Sequence, residues 1–272
     1  MSTVVSVANE AFLKVAREVA LAAAKLARTR RQAGVEVAAS KSSTEDIVTH
    51  ADREAEALIR SMLSDARPND GFFGEEGGAD AGTSGLTWVV DPIDGTVNYL
   101  YGIPEYAVSI AVVEGEPDPL SWKALAAVVV GSATGEDFSA TLGGGATLDG
   151  RPIRAKTDVP LDQALVGTGF SYSSQSRTEQ GRVLAGLIGR VRDIRRRGSA
   201  ALDLCGVACG RLDAYYERGL QPWDHAAGAL IAREAGASVT GLNGQPPSAE
   251  FTLAASEELA VNLEQTLREL GI

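Results

Sequence analysis

The chain is poor in cysteine, histidine and positive charge, and each shortage removes a class of function. Only two cysteines occur in 272 residues, so no disulfide framework holds the fold together. Cys205 and Cys209 lie four apart in a segment that reads as helix, which puts them on one face as small buried apolar side chains, ahead of a weak metal site. Basic residues number 25 against 36 acidic ones, a formal charge of -11. Direct nucleic-acid binding is not expected of such a chain, because binding a phosphate backbone requires clustered Lys and Arg. No apolar run approaches bilayer length; Ala124 to Val130 is among the longest. The amino terminus also lacks a basic segment followed by an apolar one, and the expectation is a soluble, cytoplasmic protein without membrane association.

What is present is ordinary globular composition, 44% hydrophobic and 22% charged, with an excess of carboxylates suited to binding cations. Apolar residues recur at helical spacing from Val4 to about Arg31, and Lys25, Arg28, Arg30 and Arg31 gather at the end a helix dipole favours for cations. A second amphipathic helix is expected over Asp52 to Leu63, with no strand before it. Thr87 to Val90, Tyr106 to Val113 and Ala124 to Val130 read as strands of one sheet, and Gly143-Gly144-Gly145 reads as a hairpin. Beyond Asp158, short strands at Leu165 to Thr168, Asp213 to Glu217, Ser238 to Thr240 and Thr252 to Ala255 alternate with helical stretches. The expected fold class is therefore α/β, with an α+β lobe over residues 1–150 and an α/β lobe over 151–272.

Three acidic segments carry the candidate chemistry. In Trp88-Val89-Val90-Asp91-Pro92-Ile93-Asp94-Gly95-Thr96 an apolar strand ends in two carboxylates. Two Asp crowded at one strand end repel unless a cation or protons neutralise them, and a hard divalent cation such as Mg²⁺ selects oxygen ligands. Gly95 permits close approach of the backbone to an anion such as phosphate, although Asp-x-x-Asp is equally consistent with a cap and turn. Glu75-Glu76 stands in a Gly-flanked loop, where solvated charge is the ordinary reading. Asp224 opens a small-residue helix, where an N-cap is the ordinary reading, and His225 is expected on that helix's surface.

Together the strings GEEGG at 74–78, WVVDPIDGTVNY at 88–99, RRGSAALDL at 196–204 and PWDHAAGALIAREAGA at 222–237, preceded by KSSTEDIVTHAD at 41–52, resemble the inositol monophosphatase family, closest to its bacterial inositol-1-monophosphatases. The resemblance covers most of the chain in the family's order. It implies the layered αβαβα sandwich of sugar phosphatases, a homodimer, and two or three Mg²⁺ ions held by Glu75, Asp91, the Ile93 carbonyl, Asp94 and Asp224. It further implies a water oriented by Thr96 and Asp52 with Glu76 in support, and phosphate on the Gly95 and Thr96 amides. Ser199, Ala200, Glu217 and Arg195 would meet the alcohol, with Lys41 in a mobile loop. Lys41 is equally read as a solvated loop lysine, and Glu217 as a strand-end charge.

The implied reaction is hydrolysis of a phosphate monoester, first inositol 1-phosphate, with sensitivity to lithium. Histidinol phosphate, fructose 1,6-bisphosphate and nucleotide 3′-phosphates are the alternatives. A protein-binding role in transcription or ribosome biogenesis is the reading from another class. The chain departs from many relatives at Val129-Val130-Gly131-Ser132, which bears on the substrate rim.

Overall fold

The structure, a computed structural model, describes residues 2–35, 37–40 and 47–272. Helix α1 (Ser2–Ala33) leads into a short antiparallel hairpin, β1 (Val37–Ser40) and β2 (Ile47–Thr49), and then α2 (His50–Ala66). The hairpin is a departure from the expectation of two helices before any strand. Its strands of four and three residues are too short to show a period. Thr49 caps α2, and the Asp52 carboxylate returns to the Thr49 amide at 2.8 Å, a reciprocal box that fixes the helix start.

The first sheet follows. Its strands are β3 (Gly71–Gly74), β4 (Gly78–Asp80), β5 (Leu86–Asp94), β6 (Ala107–Glu114), β7 (Lys123–Gly131), β8 (Asp137–Thr141), β9 (Gly145–Leu148) and β10 (Arg151–Pro152), with α3 (Thr96–Tyr101) between β5 and β6. They lie in the order β10-β9-β8-β7-β6-β5-β3-β4, and only β3 and β5 are parallel. The central strands β6 and β7 are buried along most of their length on both faces, which is why they read as continuous apolar runs and not as alternation.

The remainder runs β11 (Leu165–Thr168), α4 (Ser174–Leu187), β12 (Asp193–Arg195), α5 (Ala200–Ala208), β13 (Ala214–Glu217), α6 (Pro222–Glu234), β14 (Ser238–Thr240), β15 (Thr252–Ala255) and α7 (Glu257–Glu269). These strands form a second sheet in the order β12-β11-β13-β15-β14. Helices α1 and α2 cover one face of the first sheet through Ala16, Val19, Ala20, Ile59 and Leu63. Helices α5 and α6 fill the space between the two sheets with small side chains such as Ala201, Ala227 and Ala229, and α4 and α7 close the far face through Val183, Leu187, Leu263 and Leu267. The layers are therefore α, β, α, β, α. Among the described residues no helix is long and apolar enough to cross a membrane.

Candidate active site

The pivot of the site is a bulge at the end of β5. Asp91 pairs with Ser109 and Asp94 with Ala107, so β5 spends one residue more than β6 over this stretch. Pro92 has no N–H to give the ladder, which favours the break there. On a regular strand residues three apart point to opposite faces, and the extra residue turns Asp94 to the side Asp91 already faces. Both line a cavity of about 550 Å³ together with Glu75, Ile93, Thr96 and Asp224.

Each carboxylate is held by donors from its own surroundings. Asp91 Oδ1 accepts the Ile93 amide at 3.0 Å. Asp94 accepts the Ser199 hydroxyl at 2.5 Å and the Ala201 and Ala200 amides at 2.8 and 3.3 Å, which places it on the amino-terminal end of α5. Asp224 is the third residue of α6, after Pro222 at a position that suits proline, and its Oδ2 accepts the Gln221 amide at 2.6 Å. The Glu75-Glu76 loop is set by a residue the sequence reading missed. Glu56, from α2, accepts the Glu76 and Gly77 amides, both at 2.7 Å. The signal was a charged residue on the apolar face of an amphipathic helix, one turn after Asp52, where only a residue with fixed partners is tolerated.

The electrostatics follow from crowding of buried carboxylates. Burial raises Asp91 well above the ordinary carboxylate range, reinforced by repulsion from Glu75, Asp94 and Asp224 and by a hydrogen bond with Glu75. Asp224 is also raised, by burial and then by Asp94 and Glu75, while Asp94 reaches about 6 because burial outweighs its three donors. Among the described residues no three Asp, Glu, His or Cys side chains converge tightly enough to hold a metal ion. The donor set nonetheless fits a hard cation: it is all oxygen, it is buried, and its charges need neutralising.

Beside the carboxylates, the Thr96 hydroxyl lies 3.2 Å from Asp52 Oδ1 and 3.1 Å from the Ile93 carbonyl. Asp52 is buried and its carboxyl is pushed up to about 6, by burial against the opposing Thr49 hydrogen bonds, with Glu76 adding repulsion. Gly95 adopts φ +94°, and a Cβ there would stand 2.7 Å from the Glu105 carbonyl, so no other residue fits. Ala200 and Glu217 line the same cavity. Burial pushes the Glu217 carboxyl up to about 7, with the Tyr215 hydroxyl, 2.6 Å away, and the Arg196 charge pulling it back.

Two expectations change. Arg195 does not line this cavity; it pairs with Asp193 at 2.6 Å and faces a separate groove with Glu105, Glu136 and Arg211. It ends β12, and the next residue, Arg196, turns the opposite way, into the cavity. His225 is not on the helix surface. It is 1% exposed, and burial lowers its pKa to about 4, so the imidazole is neutral. Lys41 lies outside the described residues.

A strand-end bulge gathering carboxylates between two sheets and their helices marks a layered α/β phosphatase, and comparison with known proteins gives the same class. The model of the inositol monophosphatase family matches residues 8–271. An inositol-1-monophosphatase SuhB of Mycobacterium tuberculosis is 51% identical over 209 residues, 74% of this chain and 70% of that protein. A relative from Xylella fastidiosa, named Nus factor SuhB, is 45% identical over 201 residues, 73% of this chain and 70% of that one. The crystal structure of extragenic suppressor protein suhB from Bartonella henselae superposes with a TM-score of 0.86 at 35% identity, covering 96% of this chain and all of that one. The protein is a phosphatase, a phosphoric monoester hydrolase. It belongs to the inositol monophosphatase family, whose members are generally metal-dependent.

Proposed function

We propose that the chain hydrolyses inositol 1-phosphate to inositol and phosphate in a Mg²⁺-dependent reaction with water as the nucleophile. The observation that carries this reading is that one cavity is lined by the carboxylates Glu75, Asp91, Asp94 and Asp224 and also by Glu217 and the start of α5. The four carboxylates, with the Ile93 carbonyl, would hold two or three Mg²⁺, which supply positive charge to the phosphate and to the attacking and leaving oxygens.

The chain's own residues do the rest. Asp52 accepts a hydrogen bond from the Thr96 hydroxyl and so turns the Thr96 lone pairs toward a water in the cavity. Glu76, close enough to Asp52 to raise its pKa, supports the same carboxylate electrostatically. The amides of Gly95 and Thr96 donate to phosphate oxygens, and the Ser199-Ala200 backbone and Glu217 meet the alcohol. The test is release of phosphate from a panel of monoesters after EDTA treatment and after Mg²⁺ is restored. The expected result is activity only with Mg²⁺, with the highest kcat/KM on inositol 1-phosphate. Equal activity in EDTA would reject the metal, and preference for another ester would reject the substrate. The homodimer and the cytoplasmic location belong to the same reading.

The relatives named Nus factor SuhB, at 40 to 45% identity, support a second role compatible with the first: a protein-binding factor in transcription. Co-purification of transcription proteins with the chain tests it, and no enrichment of such partners over a control bait rejects it.

A further inference from the structure

Arg195, Arg196 and Arg197 are consecutive but go to three places. Arg195 pairs with Asp193, and Arg197 with Glu105 at 2.5 Å and, more loosely, with Asp203 at 3.7 Å. Arg196 alone enters the cavity. Its guanidinium lies over Gly198, where a Cβ would stand 2.5 Å from Nη1, so the glycine that precedes Ser199 also makes room for it. No hydrogen bond or ion pair fixes the Arg196 side chain among the described residues, although its charge acts on Glu217. Glu217 in turn packs its carboxylate against the Gly169 backbone. A cationic donor and a carboxylate acceptor therefore line the same cavity as the carboxylate cluster, near enough for the charge of one to act on the other.

We propose that Arg196 is a specificity-determining residue for the alcohol, donating to the hydroxyl oxygens of a polyol beside Glu217 and turning away alcohols that carry a cation. The inference rests on the reading of the chain as an inositol phosphatase and deepens it. A hydroxyl both donates and accepts, so neighbouring hydroxyls satisfy an arginine and a carboxylate together. An ammonium group gains less there, because the Arg196 charge already acts on Glu217. A planar fork of donors also suits two adjacent oxygens better than a lysine would.

The experiment compares wild type with Arg196→Gln and Arg196→Lys on three esters: inositol 1-phosphate, histidinol phosphate and p-nitrophenyl phosphate. In Arg196→Gln the kcat/KM for inositol 1-phosphate falls roughly tenfold more than that for p-nitrophenyl phosphate, mainly through KM, and the preference for inositol over histidinol phosphate narrows. Arg196→Lys keeps the discrimination against histidinol phosphate and recovers only part of the inositol 1-phosphate activity. Thermal midpoints of the three proteins confirm folding, which an exposed side chain does not endanger. Parallel losses on all three esters, or an unchanged inositol to histidinol ratio, overturn the proposal while leaving the inositol phosphatase reading intact. Failure of the wild type to favour inositol 1-phosphate overturns that reading and the inference with it.

Discussion

The Ser199 hydroxyl donates to Asp94 Oδ2 at 2.5 Å, joining the bulged end of β5 to the first turn of α5 across 105 residues of sequence. This bond and the adjacent amides orient a buried carboxylate. Replacing Ser199 by Ala removes the shortest of the three donors and the N-cap of α5 together. The expected cost is about 1–3 kcal/mol of stability, with an increase in the Mg²⁺ concentration needed for half-maximal activity. Denaturant unfolding and a Mg²⁺ titration measure the two, and an unchanged Mg²⁺ requirement would separate Ser199 from the site.

Glu56 sets the loop that presents Glu75 and Glu76, although it faces the interior from α2. Glu56→Gln can accept only one of the two amides through its remaining carbonyl oxygen. Activity should fall by roughly tenfold while the helix content by circular dichroism stays the same. Normal turnover in Glu56→Gln would mean that the loop holds its place without this support.

Metal should matter more to stability at pH 8 than at pH 5. In the folded chain Asp94 is raised from 3.8 to about 6, and Asp91 and Asp224 are raised as well, in each case first by burial. Above pH 4 the folded metal-free chain then binds more protons than the unfolded one, so its stability falls as pH rises through the folded pKa values. A bound cation offsets that loss where the carboxylates are ionised. The thermal midpoint should rise by several degrees on adding Mg²⁺ to EDTA-treated protein at pH 8 and by much less at pH 5; the opposite order would contradict the electrostatic account.

Li⁺ should inhibit in competition with Mg²⁺. It is close to Mg²⁺ in size with half the charge, so it enters an oxygen-lined site and stabilises developing negative charge less well. Titrating LiCl at several Mg²⁺ concentrations, against NaCl at matched ionic strength, tests this. Inhibition no greater than that by NaCl would remove lithium sensitivity from the account.

Local features of this fold were readable in sequence where a pattern is long or a chemistry is dense. The period of α1 and the apolar runs of β6 and β7 repeat over many residues, and Asp91, Asp94 and Asp224 sit in short strings that combine carboxylates with Pro and Gly. The hairpin of β1 and β2 was hidden because seven residues carry no period. Arg196 was passed over for Arg195 because the side to which each points depends on where β12 ends, a one-residue matter. His225 was placed on a surface because polarity predicts exposure, whereas nearly all of α6 after Asp224 is buried, with Trp122 beside the His225 ring. Glu56 shows in sequence only as a charge on an apolar helix face; its partners, 20 and 21 residues away, needed the fold itself.

The account rests on Asp91, whose carboxylate is crowded by Glu75, Asp94 and Asp224 at once. Phosphate release from inositol 1-phosphate by wild type and Asp91→Asn, each across a Mg²⁺ titration, tests it most directly. The expected result is Mg²⁺-dependent turnover in the wild type and a loss on the order of a hundredfold or more in Asp91→Asn, not recovered at high Mg²⁺, in a protein that melts no lower than the metal-free wild type because one buried charge is gone. Near-normal turnover by folded Asp91→Asn at ordinary Mg²⁺ would contradict the assignment of this carboxylate cluster as the metal-binding centre.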